Sequence, residues 1–448
     1  MRVKKVLCGL LAATLVAASF AGCQSGTSNT SSTGGGSTTT DNDKPYEGVT
    51  LNMVCPTSIF FQTIIDAQDE FKEQTGISFN AEQLTNDQLA QKISVTMAAG
   101  GKDIDIITFA PIQSALLYNQ NGWLTPLNDY IDQDTEFDFD DFSDSSVELA
   151  ILDDQIMGVP IMTEREVVTY NTAYFEEAGV KEIPTTFEEL EAAAAACNGL
   201  TNESGNTVNG IALRGKGQAA VTQFSGFLYG YGGDFIEDGK AVFNSDAGIE
   251  AFEFYGKLAR EYGPTGAVNM DWQETQNLYA QGMVAMRVDC DSQYGFSVDP
   301  ESSIVAEDTS MFALPAGPEG AHAFNITAWA LGISSGSQNK EAAWEFISWA
   351  VGKEMDVRAM AAGNPSARDS SWQNDEATSA FPEEMVEVIN ETLPTAVGYD
   401  RPVMINVGEA RTEIGNVIIT AIEGGDVKAA ADKAAENVQK LLDEEAEG

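Results

Sequence analysis

The sequence predicts an α/β protein, and two observations support this fold class. From Tyr46 onward, short runs of β-branched and apolar residues alternate with segments whose apolar residues recur at the spacing of a helix face. The 448-residue chain is 43% hydrophobic, which is enough to build a core, and it is long enough for two or three domains. We therefore expect strands and helices to alternate along the body of the chain.

Three strands are predicted in the first part of this body. Residues 49–55 (VTLNMVC), 77–79 (ISF) and 103–109 (DIDIITF) are short runs of apolar and β-branched residues. The third run is expected to be a buried strand. A helix should follow it as far as Asn121, before the segment GWLTPLNDYI.

Two helices are predicted between these strands. Their apolar residues recur three or four positions apart, so that they share one helix face. Gly76 suits the C-terminal cap of the first helix, and the glycine pair at residues 100–101 ends the second. The predicted apolar faces are Phe60, Ile64, Ala67 and Phe71 in the first helix and Leu89, Ile93 and Met97 in the second.

The acidic segment at residues 132–144 (DQDTEFDFDDFSD) raises the question of a calcium site. An EF-hand loop has glycine at its sixth position and glutamate at its twelfth. Counted from Asp132, these positions hold Phe137 and Ser143, so the EF-hand pattern fails. We expect a solvated loop held in place by its aromatic residues, and no metal site is predicted.

The segment at residues 155–180 (QIMGVPIMTEREVVTYNTAYFEEAGV) is the most informative stretch of the body. It predicts a strand that contains glycine and proline, followed by a polar break at TERE. A second strand at VVTYN and then a helix should follow the break.

The rest of the body predicts one further capped helix, a loop region and a helical tail. A helix is expected over residues 183–198, where Thr186 can cap the N-terminus and Glu189 stands at the capping-box position. Residues 201–240 are rich in Gly, Asn and aromatic residues, which favours loops around short elements. The tail from Arg411 predicts mostly helix.

The N-terminus predicts an export signal. Three basic residues precede an apolar run over residues 6–20, shorter than the roughly 20 residues of a transmembrane helix. The run ends in the motif FAGC at Cys23, which resembles the bacterial lipobox, although Phe20 replaces the usual leucine. We expect residues 1–22 to be a signal peptide and Cys23 to be lipidated. The alternative is a signal peptide cut near Ala21, with the cysteine incidental.

The segment after the cysteine predicts a flexible tether. Residues 24–45 are mostly Ser, Thr, Gly and Asn, a composition that cannot bury surface. A coil of this length has an r.m.s. span of about 25 Å. Residues 23–45 are therefore expected to connect a lipid anchor to a soluble body on the extracellular face of the cytoplasmic membrane, as in a cell of the Gram-positive type.

Charge and composition exclude several kinds of function. With 24 basic and 69 acidic residues, the formal net charge is −45, which repels phosphate backbones and argues against a nucleic-acid partner. Five widely spaced cysteines without a CxxC pair indicate neither a zinc site nor a disulfide framework. The single histidine, His322, lies in the turn-like segment GPEGAHAF and is interpreted as structural. No catalytic residue, metal or cofactor is predicted.

Six segments occur in a characteristic order between Leu51 and Leu442. Each consists of little more than glycine, proline and apolar spacing. The segments are GKDIDIITF…NGWLTPLNDYI, GVPIMTEREVVTYNTAYFEEAG, PTTFEEL, YAQGMVAMRVDCD, LPAGPEG and KEAAWEFISWAVGKE. In this order, and behind a lipobox and tether, they resemble bacterial extracellular solute-binding proteins of the sugar-type ABC importer class, such as maltose-binding protein and its oligosaccharide-binding relatives.

This resemblance implies a two-lobed, clamshell fold of the periplasmic-binding-protein type, with ligand bound between the lobes and several hinge crossovers. The first crossing is then expected near Met162–Glu166, the second near Ala313–Ala316, and a further one after the segment GNPSAR. The implied lobes are residues 46–163 with 314–368, and residues 164–313 with 369–448.

The resemblance also implies candidate ligand-binding residues. A neutral sugar has hydroxyls around an apolar ring face, so its site needs carboxylates or amides together with aromatic faces. Phe109, Glu164 and Trp329 fall at positions where the family places cleft residues; the alternative roles are core packing for the aromatic residues and a solvated turn for the glutamate. Further candidates are Phe61, which follows Phe60 at the start of the first helix, and Arg368 and Trp372 near GNPSAR.

The segment after GMVAM departs from the family pattern. Asp289 and Asp291 stand where the family commonly has a glycine–aromatic segment that touches the ligand. If these carboxylates reach the ligand, the ligand is more polar or carries an amine. The alternative is a surface ion pair with Arg287.

The resulting hypothesis is a lipid-anchored binding protein that captures a carbohydrate, by its pattern an oligosaccharide, and delivers it to the transmembrane subunits of an ABC permease. A monomer is expected. Two alternatives stay open: a secreted carbohydrate-active enzyme with a carboxylic acid pair about 5 to 10 Å apart, and a tethered sensor or adhesin on the same fold.

Overall fold

The computed structural model describes residues 44–447. The predicted signal peptide, the lipidation site at Cys23 and nearly all of the predicted tether lie outside the described residues. Among the helices of the described part, none has the length and apolar character needed to cross a membrane.

Strands and helices alternate through this part of the chain, which confirms the α/β class. The strands are β1 (Thr50–Pro56), β2 (Ser78–Leu84), β3 (Ile106–Phe109), β4 (Leu124–Thr125), β5 (Ile151–Leu152), β6 (Gln155–Ile156), β7 (Val159–Asn171), β8 (Asn209–Ala212), β9 (Ile236–Glu237), β10 (Lys240–Ala241), β11 (Val284–Cys290), β12 (Thr309–Ala313) and β13 (Asn325–Ser334).

The helices pack on both faces of the main sheet. They are α1 (Ile59–Asp66), α2 (Gln68–Thr75), α3 (Asn86–Ala98), α4 (Pro111–Gln120), α5 (Asn128–Gln133), α6 (Asp144–Val147), α7 (Thr172–Ala178), α8 (Phe187–Cys197), α9 (Gln218–Gly230), α10 (Asp246–Glu261), α11 (Trp272–Ala280), α12 (Tyr294–Val298), α13 (Lys340–Ala350), α14 (Lys353–Ala361), α15 (Glu383–Thr392), α16 (Val407–Ile422) and α17 (Val427–Glu447).

One long strand, β7, belongs to two halves of the main sheet. Its first half pairs antiparallel with β13, from Val159 opposite Leu331 to Arg165 opposite Asn325. Its second half, from Glu166 onward, pairs antiparallel with β11 on one side and β12 on the other. The strand order is β2-β1-β3-β13-β7-β11-β8, with β1 parallel to both β2 and β3. The partners of β7 therefore change between residues 165 and 166.

The polar break predicted at TERE is wrong, because β7 runs through it without interruption. Charged residues in this stretch do not end the strand, since Arg165 forms a buried ion pair with Asp291 and the backbone keeps its ladder partners. Sequence alone shows four polar residues in a row, and it does not show that a partner is available for them.

The apolar side chains form two large cores at the two ends of β7. The first contains Val159 and Ile161 of β7, packed with α1, α2 and α13 against β1 and β3. The second contains Val168, packed with α8, α9, α10 and α16 around β8 and β11. A single strand thus contributes side chains to both cores.

The first predicted helix is divided into α1 and α2 at Ala67, but its predicted apolar face is correct. Phe60, Ile64 and Phe71 are fully buried in the first core. Gly76 ends α2 with a φ of 83°, a left-handed conformation that favours glycine, as predicted.

The prediction of loops around short elements over residues 201–240 is wrong where α9 lies. This 13-residue helix is surrounded by the second core, so it has no polar face and no helical periodicity for the sequence to show. Gly226 lets the helix pack closely on β7, since a Cβ at this position would lie 2.0 Å from Oε2 of Glu166.

The predicted cap of α8 is confirmed. The Thr186 hydroxyl accepts a hydrogen bond from the backbone N–H of Glu189 at 3.2 Å. The Glu189 carboxylate accepts from the backbone N–H of Thr185 at 2.8 Å rather than from Thr186, so the capping box is displaced by one residue.

Candidate functional site

A cavity of about 290 Å³ lies beside the first half of β7. Its walls come from α3, from the end of β3 with the start of α4, from β7, and from the start of β13, with one residue from the segment before α16. The lining combines apolar and aromatic surface with a few polar groups. Three of the residues predicted as ligand contacts meet here: Phe109, Glu164 and Trp329.

Phe109 forms an aromatic wall at the end of β3. The residue is 1% exposed, and its ring centroid lies 5.9 Å from that of Tyr118, which also lines the cavity. The ring occupies the space beside Gly158, where a Cβ would lie 2.8 Å from Cζ of Phe109. The glycine at residue 158 therefore leaves the space that the Phe109 ring occupies.

Trp329 enters the cavity from an irregularity in β13. The pairing of β13 with β7 shifts register on both sides of this residue, between Thr327 and Trp329 and between Trp329 and Ala330. A bulge of this kind turns a side chain away from the regular face of the sheet. The indole remains half-buried at the cavity wall.

Glu164 supplies the carboxyl group of the lining. The residue is half-buried in the middle of β7. Burial raises the pKa of this carboxyl, and the carboxylates of Asp291 and Asp400 raise it further, while the Ser292 hydroxyl and the Arg214 charge act in the opposite direction. The predicted solvated turn is therefore wrong, because the strand places this glutamate in a partly desolvated wall.

Arg401 supplies the positive charge of the lining, and the sequence reasoning missed it. Its Nε donates to Oδ1 of Asp400 at 2.5 Å, and Nη2 donates to the hydroxyl of Thr222 at 3.2 Å. Burial alone would raise the pKa of Asp400, but Arg401 and Arg411 hold it below its ordinary value. The signal in the sequence is weak: an arginine next to an aspartate in an irregular segment, 72 positions after Trp329.

Neutral polar groups complete the lining and were also missed. Thr108, immediately before Phe109, has a fully buried hydroxyl without a hydrogen-bond partner among the described residues. Gln113, Ser114 and Tyr118 follow on α4. These groups can donate to and accept from ligand hydroxyls.

Within the described residues, the charged side chains of the lining are Glu164 and Arg401, one acidic and one basic. Their formal charges sum to zero, in a chain whose formal net charge is −45. The cavity lining therefore lacks the strong negative charge of the rest of the molecule, and the positive charge of Arg401 is already matched by Asp400.

Asp289 lies away from the cavity lining, in the interior of the second half of the sheet. Its Oδ2 is 2.5 Å from Nη2 of Arg287 and 3.3 Å from Nε of Arg214, and the carboxylate is 1% exposed. Burial would raise the pKa of Asp289, but these two arginines hold it below its ordinary value. The expected surface ion pair is thus a buried one that includes a second arginine.

Asp291 is also matched inside the protein, by Arg165. The departure from the family pattern after GMVAM is therefore explained by internal ion pairs. The interpretation that two carboxylates here indicate a ligand amine loses its support, because both negative charges already have buried positive partners.

The other three predicted contacts are packed in the interior. The Phe61 ring meets Phe60 at 5.2 Å in the first core, so both rings are core residues and neither lines the cavity. Arg368 donates to the backbone oxygens of Phe137 and Val351, both at 2.9 Å. Trp372 is 1% exposed, and its ring stacks against the guanidinium of Arg165.

The acidic segment 132–144 is held by cations of the chain itself. Asp138 pairs with Lys353 at 2.6 Å, and Asp141 pairs with Arg368 at 3.2 Å. The Arg368 guanidinium lies 4.2 Å from the ring centroid of Phe142. An arginine thus joins the aromatic residues in fixing this loop.

A larger depression of about 1260 Å³ lies on the surface of the first core, but it does not have the character of a sugar site. Seven of its lining residues are acidic and one is a lysine, and none of the predicted ligand contacts is among them. The acidic residues are Asp129, Asp134, Glu136, Asp153, Asp154, Glu341 and Glu345. We therefore take the smaller cavity as the candidate site.

Comparison with known proteins gives consistent matches. A family model described as a bacterial extracellular solute-binding protein matches residues 57–357. The erythritol/L-threitol-binding protein of Mycolicibacterium smegmatis is 28% identical over 337 residues, which cover 70% of this chain and 69% of that protein.

Solved structures share the fold. An ABC transporter solute-binding protein from Agrobacterium radiobacter K84 in complex with ribitol has a TM-score of 0.70 and 26% identity, covering 88% of this chain and 99% of that one. Maltose-bound MalE3 of T. maritima has a TM-score of 0.69 and 21% identity, covering 88% and 100%. These matches confirm the two-lobed α/β fold class predicted from the sequence.

Proposed function

Because the chain belongs to the bacterial extracellular solute-binding protein family, we propose that it captures a neutral polyhydroxylated ligand, a polyol or a sugar, in the cavity beside β7. The observation that carries this proposal is the lining, in which the polar groups of Glu164 and Arg401 lie beside the aromatic faces of Phe109 and Trp329. The positive charge of Arg401 is already paired with Asp400. Hydroxyl groups of a ligand use the polar pair, and its C–H surface packs on the rings. The similarity to a protein named for erythritol and L-threitol, and to a solute-binding protein in complex with ribitol, supports a polyol.

The size of the cavity favours a small member of this class. Its volume of about 290 Å³ is just below the range of roughly 300–1,000 Å³ that is usual for small-molecule sites. An oligosaccharide is the second candidate, supported by the maltose-bound structure with the same fold. It would need additional room between the two cores.

We further propose that the two cores are the lobes of a clamshell. The lobes would be residues 46–163 with 314–368, and residues 164–313 with 369–448. The change of partners along β7 between residues 165 and 166 supports the first crossing. Closure around a ligand is then a hinge motion that the ligand favours by its higher affinity for the closed state.

The same family membership motivates a proposal for where the protein works and to what it delivers its ligand. We propose that the protein is exported, lipidated at Cys23 and tethered as a monomer at the extracellular face of the membrane, where it delivers its ligand to the transmembrane subunits of an ABC permease. Among the described lining residues, Glu164 is the one carboxyl group, which supports binding over glycoside hydrolysis, a reaction that uses two carboxyl groups.

A thermal-shift screen of the protein tests the ligand class. Ribitol, erythritol and a monosaccharide are expected to raise the melting temperature by a few degrees at about 100 times their Kd, since such binding contributes about 2.7 kcal/mol. Maltose tests the larger size class, and gluconate and spermidine are charged controls. Recovery of intact ligand is expected. Cleaved sugar would refute the binding function, and a shift by the charged compounds alone would refute the neutral class.

Mass spectrometry of the protein extracted from membranes tests the anchor. A diacylglyceryl mass on Cys23 is expected in the membrane fraction, and a Cys23→Ala variant should leave that fraction. An unmodified wild-type chain recovered free of membranes would contradict the lipid anchor while leaving the ligand proposal intact.

A further inference from the structure

Arg165 is buried at the crossing of β7, outside the cavity lining. The residue is 2% exposed, and its Nη1 lies 3.3 Å from Oδ2 of Asp291. The other carboxylate oxygen of Asp291 accepts from the backbone N–H of Arg165 at 3.0 Å. The β7–β11 ladder ends at the pair of Glu166 and Cys290, so the Asp291 side chain extends the hydrogen bonding of β7 beyond that ladder.

The same guanidinium also meets a third segment of the chain. Nη2 of Arg165 donates to the backbone oxygen of Ser366 at 3.3 Å, and Nε1 of Trp372 donates to that same oxygen at 3.0 Å. The Cζ atom of Arg165 lies 4.6 Å from the ring centroid of Trp372. We call these four residues, Arg165, Asp291, Ser366 and Trp372, the Arg165 clasp.

The clasp connects elements of both cores. Asp291 directly follows β11, which packs in the second core. Trp372 packs in a smaller apolar cluster with Val167 of β7 and Met311 of β12. Ser366 follows α14, which packs against α1 of the first core. Its segment runs alongside the first half of β7, where the backbone N–H of Thr163 donates to the oxygen of Pro365 at 3.2 Å.

The clasp is also close to the cavity along β7. Arg165 is the strand neighbour of Glu164, and successive side chains of a strand point to opposite faces. Asp291 is followed by Ser292, whose hydroxyl lowers the pKa of the Glu164 carboxyl against the effect of burial. The clasp therefore anchors the strand residue next to Glu164.

We propose that Arg165 and Asp291 are positioning residues, which hold Glu164 toward the cavity and fix the relative placement of the two cores. They set ligand affinity without touching the ligand. This inference rests on the proposed function of the cavity, but it concerns how the site is kept in its binding geometry rather than which ligand it takes.

A pair of substitutions separates positioning from simple stability. Arg165→Met or Asp291→Leu alone leaves a buried charge without its partner and should lower the melting temperature strongly. Replacing both with apolar residues of similar size is often neutral for stability. The double variant R165M/D291L is therefore expected to regain a melting temperature near that of the wild type, while its affinity for ribitol stays at least tenfold weaker.

A second readout does not depend on the ligand. Spin labels at two exposed positions, Glu73→Cys on α2 and Glu253→Cys on α10, report the distance between the two cores in the full chain. The double variant is expected to shift or broaden the distance distribution of the ligand-free protein. If the wild type binds no polyol, the proposed function fails. The distance measurement then tests by itself whether the clasp fixes the relative placement of the two cores.

A wild-type distance distribution in the double variant would overturn the inference. If the wild type binds ribitol, wild-type affinity in the double variant would also overturn it. Should the double variant not fold, Trp372→Phe keeps an aromatic ring, although a smaller one, and removes the N–H that bonds the Ser366 oxygen. A three- to tenfold loss of affinity is expected for this variant. Unchanged affinity in it would likewise overturn the positioning role.

Discussion

Replacement of Glu164 by alanine is expected to lower the affinity for the ligand by about 10- to 100-fold. Glu164 is the carboxyl group in the described lining of the cavity, and it is half-buried. A hydrogen bond to a charged group contributes about 1.5–3 kcal/mol, and about 1.4 kcal/mol corresponds to a factor of ten in affinity. Titration calorimetry with the polyol that gives the largest thermal shift measures this loss.

Two companion variants make the result specific to the site. Glu164→Gln keeps an oxygen that can accept a hydrogen bond, so it should lose less affinity than the alanine variant. Glu136→Ala removes an exposed carboxylate from the larger acidic depression and should leave affinity unchanged. Loss of binding in the Glu136 variant, with normal binding in Glu164→Ala, would move the site to that depression.

The sequence predicted elements best where the pattern is local. The periodicity of Phe60, Ile64 and Phe71 and the cap at Gly76 depend on a few neighbouring residues, and the structure confirms both. The strand across TERE was missed, because its partners are distant in sequence. Asp291 pairs with Arg165 from 126 positions away, and β13 and β11 supply the ladder. The helix α9 was missed because burial on every side removes the polar face that marks a helix.

The cavity could be predicted only in part for the same reason. Phe109, Glu164 and Trp329 meet there, and they came from resemblance to a family in which those positions are known. Thr108 and Arg401 complete the lining from segments whose composition gives no sign of it. The carboxylates after GMVAM suggested a ligand contact, whereas the fold brings Arg165 and Arg214 to them from distant segments.

Glu166 carries the second large expected effect, on stability rather than on binding. The residue is fully buried where β7 crosses between the cores, and neither carboxyl oxygen has a hydrogen-bond partner among the described residues. Burial raises its pKa well above the ordinary value, and the nearby charges of Asp289 and Asp400 raise it further, against the opposing charge of Arg214. We therefore expect this carboxyl to keep its proton in the folded protein at pH values where an ordinary glutamate has lost it.

The pKa of Glu166 is higher in the folded protein than in the unfolded chain, and this difference sets how the free energy of unfolding changes with pH. An ordinary glutamate in the unfolded chain loses its proton near pH 4.3. Above that pH, unfolding releases a proton that the folded protein retains, so the free energy of unfolding falls as pH rises toward the folded pKa. The slope for one such group is at most about 1.4 kcal/mol per pH unit.

Glu166→Gln removes this titration and is expected to change the pH profile of stability. Relative to the wild type, its free energy of unfolding should rise with pH above about 4.3, by up to about 1.4 kcal/mol per pH unit. Below about pH 4.3 the difference should be constant, and it reflects only the exchange of a buried carboxyl for a buried amide. Urea unfolding at pH 4, 5, 6 and 7 measures the difference at each pH.

A substitution of opposite sign provides the control. Hydrogen bonds from the backbone and hydroxyl of Thr185 lower the pKa of Glu189, so its contribution is present at neutral pH and is lost as pH falls through its folded pKa. Glu189→Gln should therefore be less stable than the wild type at pH 7, and the difference should shrink toward low pH. A flat difference between Glu166→Gln and the wild type from pH 4 to 7, with the Glu189 control behaving as expected, would show that Glu166 is not kept protonated by its burial at the crossing.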